Sequence, residues 1–151
     1  MASSQRNQEM KSSTAYLVAP LIGWLIAQVA KNLIGKRSRR KGGVEKYLMS
    51  GGMPSAHTAT VVTLITVIFI NEGFSTLFAV AAWFAAIIVY DALVVRRSVG
   101  EQGIALTKLL GKNGQKEQLP FVALGHKPLE VIAGAAIGVV TGIVVALFIT
   151  I

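Results

Sequence analysis

The sequence predicts an all-α fold, a polytopic membrane helical bundle with about four transmembrane helices, and three observations carry that reading. The 151-residue chain is 53% hydrophobic, its mean hydropathy is +0.60, and its apolar residues gather in four long stretches separated by polar connections. A soluble domain of this length has too little interior to hide so much apolar surface, whereas a bilayer solvates it and leaves the charges to the loops. The whole chain, 1–151, reads as one membrane domain.

The first span is expected over about 14–34, interrupted late by Lys31, the second over 54–70, the third over 74–95 and the fourth over 128–151. Each is judged against an apolar core of roughly 30 Å, which takes ~20 helical residues. The second is short, reaching only about 25 Å at 1.5 Å per residue, so it stands with little tilt or thins the bilayer around it. Pro54 and Pro128 suit first helical positions, where a missing N–H costs nothing. No persuasive small-residue cleavage site accompanies the first stretch, which therefore reads as a retained anchor. Basic loops are expected over 35–53 and 96–127, the second containing a polar linker from Gly111 to Gln118.

Charge sets an orientation and narrows the partners. Lys and Arg number 15 against 7 Asp and Glu, a net charge of +8. Lys36, Arg37, Arg39, Arg40, Lys41 and Lys46 fall in one loop and Arg96, Arg97, Lys108, Lys112 and Lys116 in another, while the intervening turn carries only Glu72. The positive-inside tendency places both basic loops in the cytoplasm and both termini on the opposite side. Within a membrane protein this excess favours membrane lipid headgroups and an anionic, phosphate-bearing substrate, with no nucleic acid as partner. The absence of cysteine from the sequence excludes disulfides and thiolate chemistry, and two histidines do not make a zinc site, so no metal and no cofactor is expected. Four short spans, the last carrying the small residues Gly134, Ala135, Ala136, Gly138 and Gly142, point to a homo-oligomer.

The topology gathers the chemistry at one membrane face. His57 follows the segment Gly51-Gly52-Met53-Pro54-Ser55-Ala56, Arg96 and Arg97 close the third span, and Gly125-His126-Lys127-Pro128-Leu129-Glu130 opens the fourth. Two glycines allow a sharp turn and close approach to a ligand, and first-turn N–H groups attract anions. A histidine beside a bound phosphate suits proton transfer or nucleophilic attack, although an interfacial histidine bonded to a neighbouring carbonyl has the same sequence. Glu130, at the third position of a helix that begins at Pro128, fits two roles: it can orient the His126 ring, or reach back to the Lys127 N–H as a cap. Arg96 and Arg97 suit phosphate, and equally suit a cytoplasmic helix end. Asp91 lies five and six residues before them, out of register on a straight helix, so its partner is expected elsewhere, with Lys31, a histidine or substrate-bound water as candidates.

These segments together resemble the divergent branch of the type-2 phosphatidic acid phosphatase superfamily, marked by GGMPSSHS-like, YDAxGVRR-like and LGHTPxEVxxG-like motifs. Here they read Gly51 to Thr58, Tyr90 to Arg97 and Leu124 to Gly134, in the family's order and spacing. The resemblance implies that His126 attacks phosphorus, His57 protonates the leaving oxygen and Glu130 orients His126. The candidates for the phosphate site are Arg96, Arg97, Ser55, Gly51, Gly52 and Lys31, the last answering loosely to the leading lysine of the first superfamily motif, and Asp91 is a candidate for support beside its default role in structural pairing. Departures from the superfamily pattern include Ala56 for glycine, Glu130 for aspartate, Val94 for the branch's glycine, Lys127 for its frequent threonine, and Pro120 where an arginine precedes the nucleophile. The activity so implied is hydrolysis of a lipid phosphate monoester through a phosphohistidine, by an enzyme whose site faces the cytoplasm. The alternatives are a non-catalytic lipid or anion binder, a small transporter component that keeps the phosphate cradle, and more remotely a vanadate-dependent oxidase.

Single cysteines introduced into this cysteine-free chain at Lys41 and at Lys116 should label from the same side of the membrane with an impermeant maleimide; labelling from opposite sides would dismantle the assembled site.

Overall fold

The computed structural model describes residues 2–35, 52–112 and 125–150, and every element among them is helical. Helix α1 covers Ala2–Gly35, α2 Ala56–Glu72, α3 Thr76–Tyr90, α4 Arg96–Lys112 and α5 Pro128–Val145. A π turn, Asp91–Val95, joins α3 to α4, and a second, Ala146–Thr150, extends α5. Met10–Ile34, Thr76–Leu110 and Pro128–Ile149 are long and apolar enough to cross a membrane, and α2 is a shorter apolar helix. The protein is an integral, multi-pass membrane protein built as an all-α bundle.

Helix α2 is the centre of the bundle, packed against α5, α1 and α3, and α1 also meets α5. In lipid there is little hydrophobic gain from pressing two helices together, so close packing of small residues does that work. Gly134, Gly138 and Gly142 form one stripe along α5, spaced by one turn, and this stripe faces α2. A Cβ on Gly134 would collide with the Ser55 carbonyl oxygen, one on Gly138 would come within 2.8 Å of the Ala59 carbonyl oxygen, and one on Gly142 within 2.6 Å of Thr66 Cβ. Helix α2 answers with small and hydroxylic residues. Thr63 and Thr66 return their hydroxyl protons to the carbonyls of Ala59 and Val62, each at 2.7 Å, which satisfies the donors without water. The small-residue face anticipated as an oligomer contact is therefore buried within the chain at Gly134, Gly138 and Gly142, because α5 needs it to approach α2.

At the far end from the histidines, the Tyr16 hydroxyl donates to Glu72 Oε1 at 2.8 Å and ties α1 to the end of α2. The reversal into α3 uses Gly73 at φ 63°, Ser75 as a cap accepting from the Phe78 N–H at 3.1 Å, and a cluster in which Phe74 meets Phe69 and Phe78 edge to face while Phe69 and Phe78 are tilted.

Three boundaries differ from the sequence expectation. Helix α1 includes the polar N-terminal residues from Ala2. Pro54 lies outside α2: Ser55 is the N-cap and Ala56 the first helical residue, since the serine hydroxyl supplies the acceptor that a start at Pro54 would lack. The third span does not end in a loop at Arg96. It runs through the π turn into α4 as far as Lys112, supported by an Arg97–Glu101 pair one turn apart at 3.1 Å. The remaining loop residues, 36–51 and 113–124, lie outside the described residues, as does most of the Gly111 to Gln118 linker.

Gly138→Ala should lower the stability of the detergent-solubilised protein by about 1–3 kcal/mol through overpacking, while Ala136→Val, at an exposed position of the same helix, should stay within about 0.5 kcal/mol of the parent. Thermal unfolding midpoints of the two variants check this.

Candidate active site at the joined helix entrances

The entrances of α2 and α5 touch through their backbones. The Ser55 N–H donates to the Glu130 carbonyl at 2.8 Å, and Gly134 lets the Ser55 carbonyl rest on α5 one turn further in. Ser55 is fully buried. Its hydroxyl accepts from the Thr58 hydroxyl at 3.0 Å and from the Thr58 N–H at 3.4 Å, so this residue caps α2 and anchors it to α5. It stands behind the site rather than on its surface. Two residues on, His57 occupies the first turn of α2 with its side chain exposed. Gly52 precedes the cap at φ 145°, a conformation that favours glycine. Gly51 lies outside the described residues.

The second histidine is held from three directions. His126 is buried, 6% exposed. Its Nδ1 lies 3.0 Å from Glu130 Oε2, and the same oxygen accepts the Lys127 N–H at 3.1 Å. The two roles open to Glu130 are thus filled together: one carboxylate caps α5, with Pro128 in the first turn and Lys127 as N-cap, and orients the imidazole just outside it. The largely buried setting of the imidazole and carboxylate, 7% and 17% exposed, strengthens the bond between them. The backbone N–H of His126 donates to the Ala92 carbonyl at 3.2 Å, inside the π turn. Gly125 lies flat on the Arg96 and Arg97 backbone, where a Cβ would strike the Arg97 N and Cα. Gly125 and His126, just before α5, are therefore fixed on the junction of the π turn and α4.

That π turn also settles the partner of Asp91. Its Oδ2 accepts from Arg96 Nε at 2.6 Å, not from another helix. On a straight α-helix residues five apart diverge, but the π turn closes i to i+5, as in the Arg96 N–H bond to the Asp91 carbonyl, and brings the two side chains into register. Around His57, within electrostatic range, stand Arg96, His126, Lys31 and Asp91. Lys31, half-buried on α1, also feels the Glu130 carboxylate. Six of the residues singled out in sequence, His57, His126, Glu130, Lys31, Asp91 and Arg96, so form one cluster drawn from α1, α2, the π turn, α4 and the entrance of α5. Arg97 is turned aside to Glu101, with 60% of its side chain exposed. Ala92, which contributes only its carbonyl, and Gly125, which contributes only the space it leaves, lie within the motif segments, but residue type alone gives them no role there.

The arrangement supplies what acyl or phosphoryl transfer asks of a protein: an imidazole with one nitrogen anchored and the other unassigned, a second imidazole in reach of solvent, and cations at two helix N-termini. Against known proteins, residues 12–141 match the family described as the Divergent PAP2 family. The chain is also 36% identical over 148 residues to YuiD, an uncharacterized membrane protein of Bacillus subtilis strain 168, the alignment covering 87% of this chain and 94% of that one. No solved structure matches it.

The double use of Glu130 yields a separation of effects. Glu130→Gln keeps an acceptor for the Lys127 N–H and should hold the melting temperature, whereas Glu130→Ala removes the cap and should lose about 1 kcal/mol. Differential scanning fluorimetry on both variants checks it; equal losses would deny the capping bond.

Proposed function

This chain belongs to the Divergent PAP2 family, and from that premise we propose that it hydrolyses a lipid phosphate monoester through a phosphohistidine, on the cytoplasmic face of the membrane. The observation that carries the reading is the 3.0 Å contact between His126 Nδ1 and Glu130 Oε2. With Nδ1 committed to the carboxylate, Nε2 is the nitrogen left to attack.

The steps follow from the roles these groups can hold. The Nε2 lone pair of His126 forms a bond to phosphorus as the bond from phosphorus to the lipid oxygen breaks. The departing alkoxide takes the proton of the His57 imidazolium, and Glu130 offsets the charge that the phosphorylated His126 ring acquires. Arg96 and Lys31, with the N-terminal ends of α2 and α5, balance the three equatorial oxygens. Water then attacks the phosphohistidine, His57 takes its proton, and inorganic phosphate leaves as the bond between nitrogen and phosphorus breaks. The location of the cluster at the ends of membrane helices, with Met53 and Leu129 exposed beside it at 47% and 71%, favours a phosphate carried by an apolar tail.

The roles of the two histidines should separate on mutation of the purified protein. His126→Ala should abolish release of phosphate from every substrate. His57→Ala should slow a long-chain alkyl phosphate by about 10²–10⁴ and an activated aryl phosphate far less, because only the alkoxide needs a proton. Acid-labile label trapped from a labelled substrate should map to His126. A covalent adduct on His57 contradicts the mechanism, and phosphate binding without any turnover assigns the protein to the non-catalytic binders.

A further inference from the structure

Asp91 and Arg96 make an ion pair that depends on a rare turn of the backbone and whose contribution to stability is small. The pair is half-exposed, with 54% of the arginine side chain and 39% of the aspartate accessible, and pairs in that setting add little to folding. It forms where the helix widens into a π turn, a rare form, between Asp91 and Val95. The same turn presents the Ala92 carbonyl to the His126 N–H at 3.2 Å. One turn of backbone thus fixes two groups of the cluster, Arg96 through the Asp91 side chain and His126 through the Ala92 carbonyl.

We infer that Asp91 is a positioning residue, which holds the Arg96 guanidinium by its Nε so that the remaining donors face a phosphate lying between His57 and His126. The inference rests on the phosphate-site reading above. The 2.6 Å bond engages Nε, and the Nη1 and Nη2 pair is the fork that binds phosphate in a bidentate manner. Arg96 already lies within electrostatic range of His57, so the guanidinium needs no large movement to serve. Asp91 touches neither phosphorus nor the leaving oxygen and carries no proton in the reaction.

Electrostatics gives this inference a test of sign. A carboxylate beside an anion site repels the anion, so if Asp91 were merely nearby, removing its charge would tighten phosphate binding. Positioning predicts the reverse. The full-length protein in lipid nanodiscs is titrated with inorganic phosphate by calorimetry, and hydrolysis of a long-chain alkyl phosphate is followed in the same preparation. Asp91→Ala should weaken phosphate binding roughly tenfold and raise KM more than it lowers kcat. Asp91→Asn loses the same charge but keeps an acceptor oxygen at the same reach, and should stay within about threefold of the parent. Asp91→Glu keeps the charge and displaces it by one methylene, and should loosen binding several-fold, which preserves the test should the alanine variant fail to fold. In an Arg96→Lys background, Asp91→Ala should cost nothing further. Tighter phosphate binding in Asp91→Ala, identical behaviour of the Asn and Ala variants, or full binding by Asp91→Glu would each overturn the inference. If the parent protein binds phosphate and releases none from the lipid, the hydrolase reading fails while the role of Asp91 is still decided by the binding data. If it binds no phosphate at all, both fail.

Discussion

The hydrogen bond from the Ser55 N–H to the Glu130 carbonyl, 2.8 Å long, is the constraint on which the rest of the site depends. It joins the first turns of two helices that are separated by more than fifty residues of chain. Two helix N-termini side by side repel through their partial positive charges, and Lys31 and Arg96 add two whole charges to the same place. Glu130 and Asp91 offset part of this, each already engaged with a cation or a donor. The two carboxylates match the two cations, so the positive surplus is the partial charge of the helix ends. That surplus suits the phosphate of the proposed function, whose binding would relieve the repulsion.

The bundle can sustain that repulsion because α2 and α5 pack along their whole shared length. Gly134, Gly138 and Gly142 remove side chains where Ser55, Ala59 and Thr66 need room, and dispersion between closely apposed backbones replaces the hydrophobic gain that lipid does not provide. Helix α3 rests mainly on α2 and reaches the site only at its end, through the π turn. The turn therefore acts as the strut between a firmly packed pair of helices and a more peripheral one, with Gly125 laid on its far edge.

The fold class was legible in the sequence because apolar stretches of span length leave few other ways to satisfy a backbone in lipid. The positions of His126 and Glu130 relative to Pro128 were legible for a local reason, since one turn of helix fixes their separation. What sequence spacing left open was whether Glu130 would cap or orient, and the structure puts both bonds on one oxygen. Straight-helix spacing hides the Asp91–Arg96 pair, because nothing in Asp91-Ala92-Leu93-Val94-Val95 announces a π turn beyond the five-residue interval between opposite charges. The charges after Arg96 suggested a loop, yet Arg97 and Glu101 fall one turn apart and support a helix. The small-residue stripe was visible, but composition alone does not say whether such a face meets another helix of the same chain or of a second copy.

The two histidines differ in the way their proposed roles require. A ring that becomes phosphorylated gains positive charge while bonded to the protein's interior, which is expensive in a buried setting unless a carboxylate is already in contact. His126 is 6% exposed and has that carboxylate at 3.0 Å. A ring that must lose a proton to the leaving group and regain one from water needs access to solvent and freedom from a fixed acidic partner. His57 is exposed in the first turn of α2, with Arg96 and Lys31 as its cationic neighbours. The asymmetry arises from the capping of the two helices. Ser55 caps α2 with a neutral hydroxyl, so the cap brings His57 no charge, whereas α5 is capped by the carboxylate that holds His126.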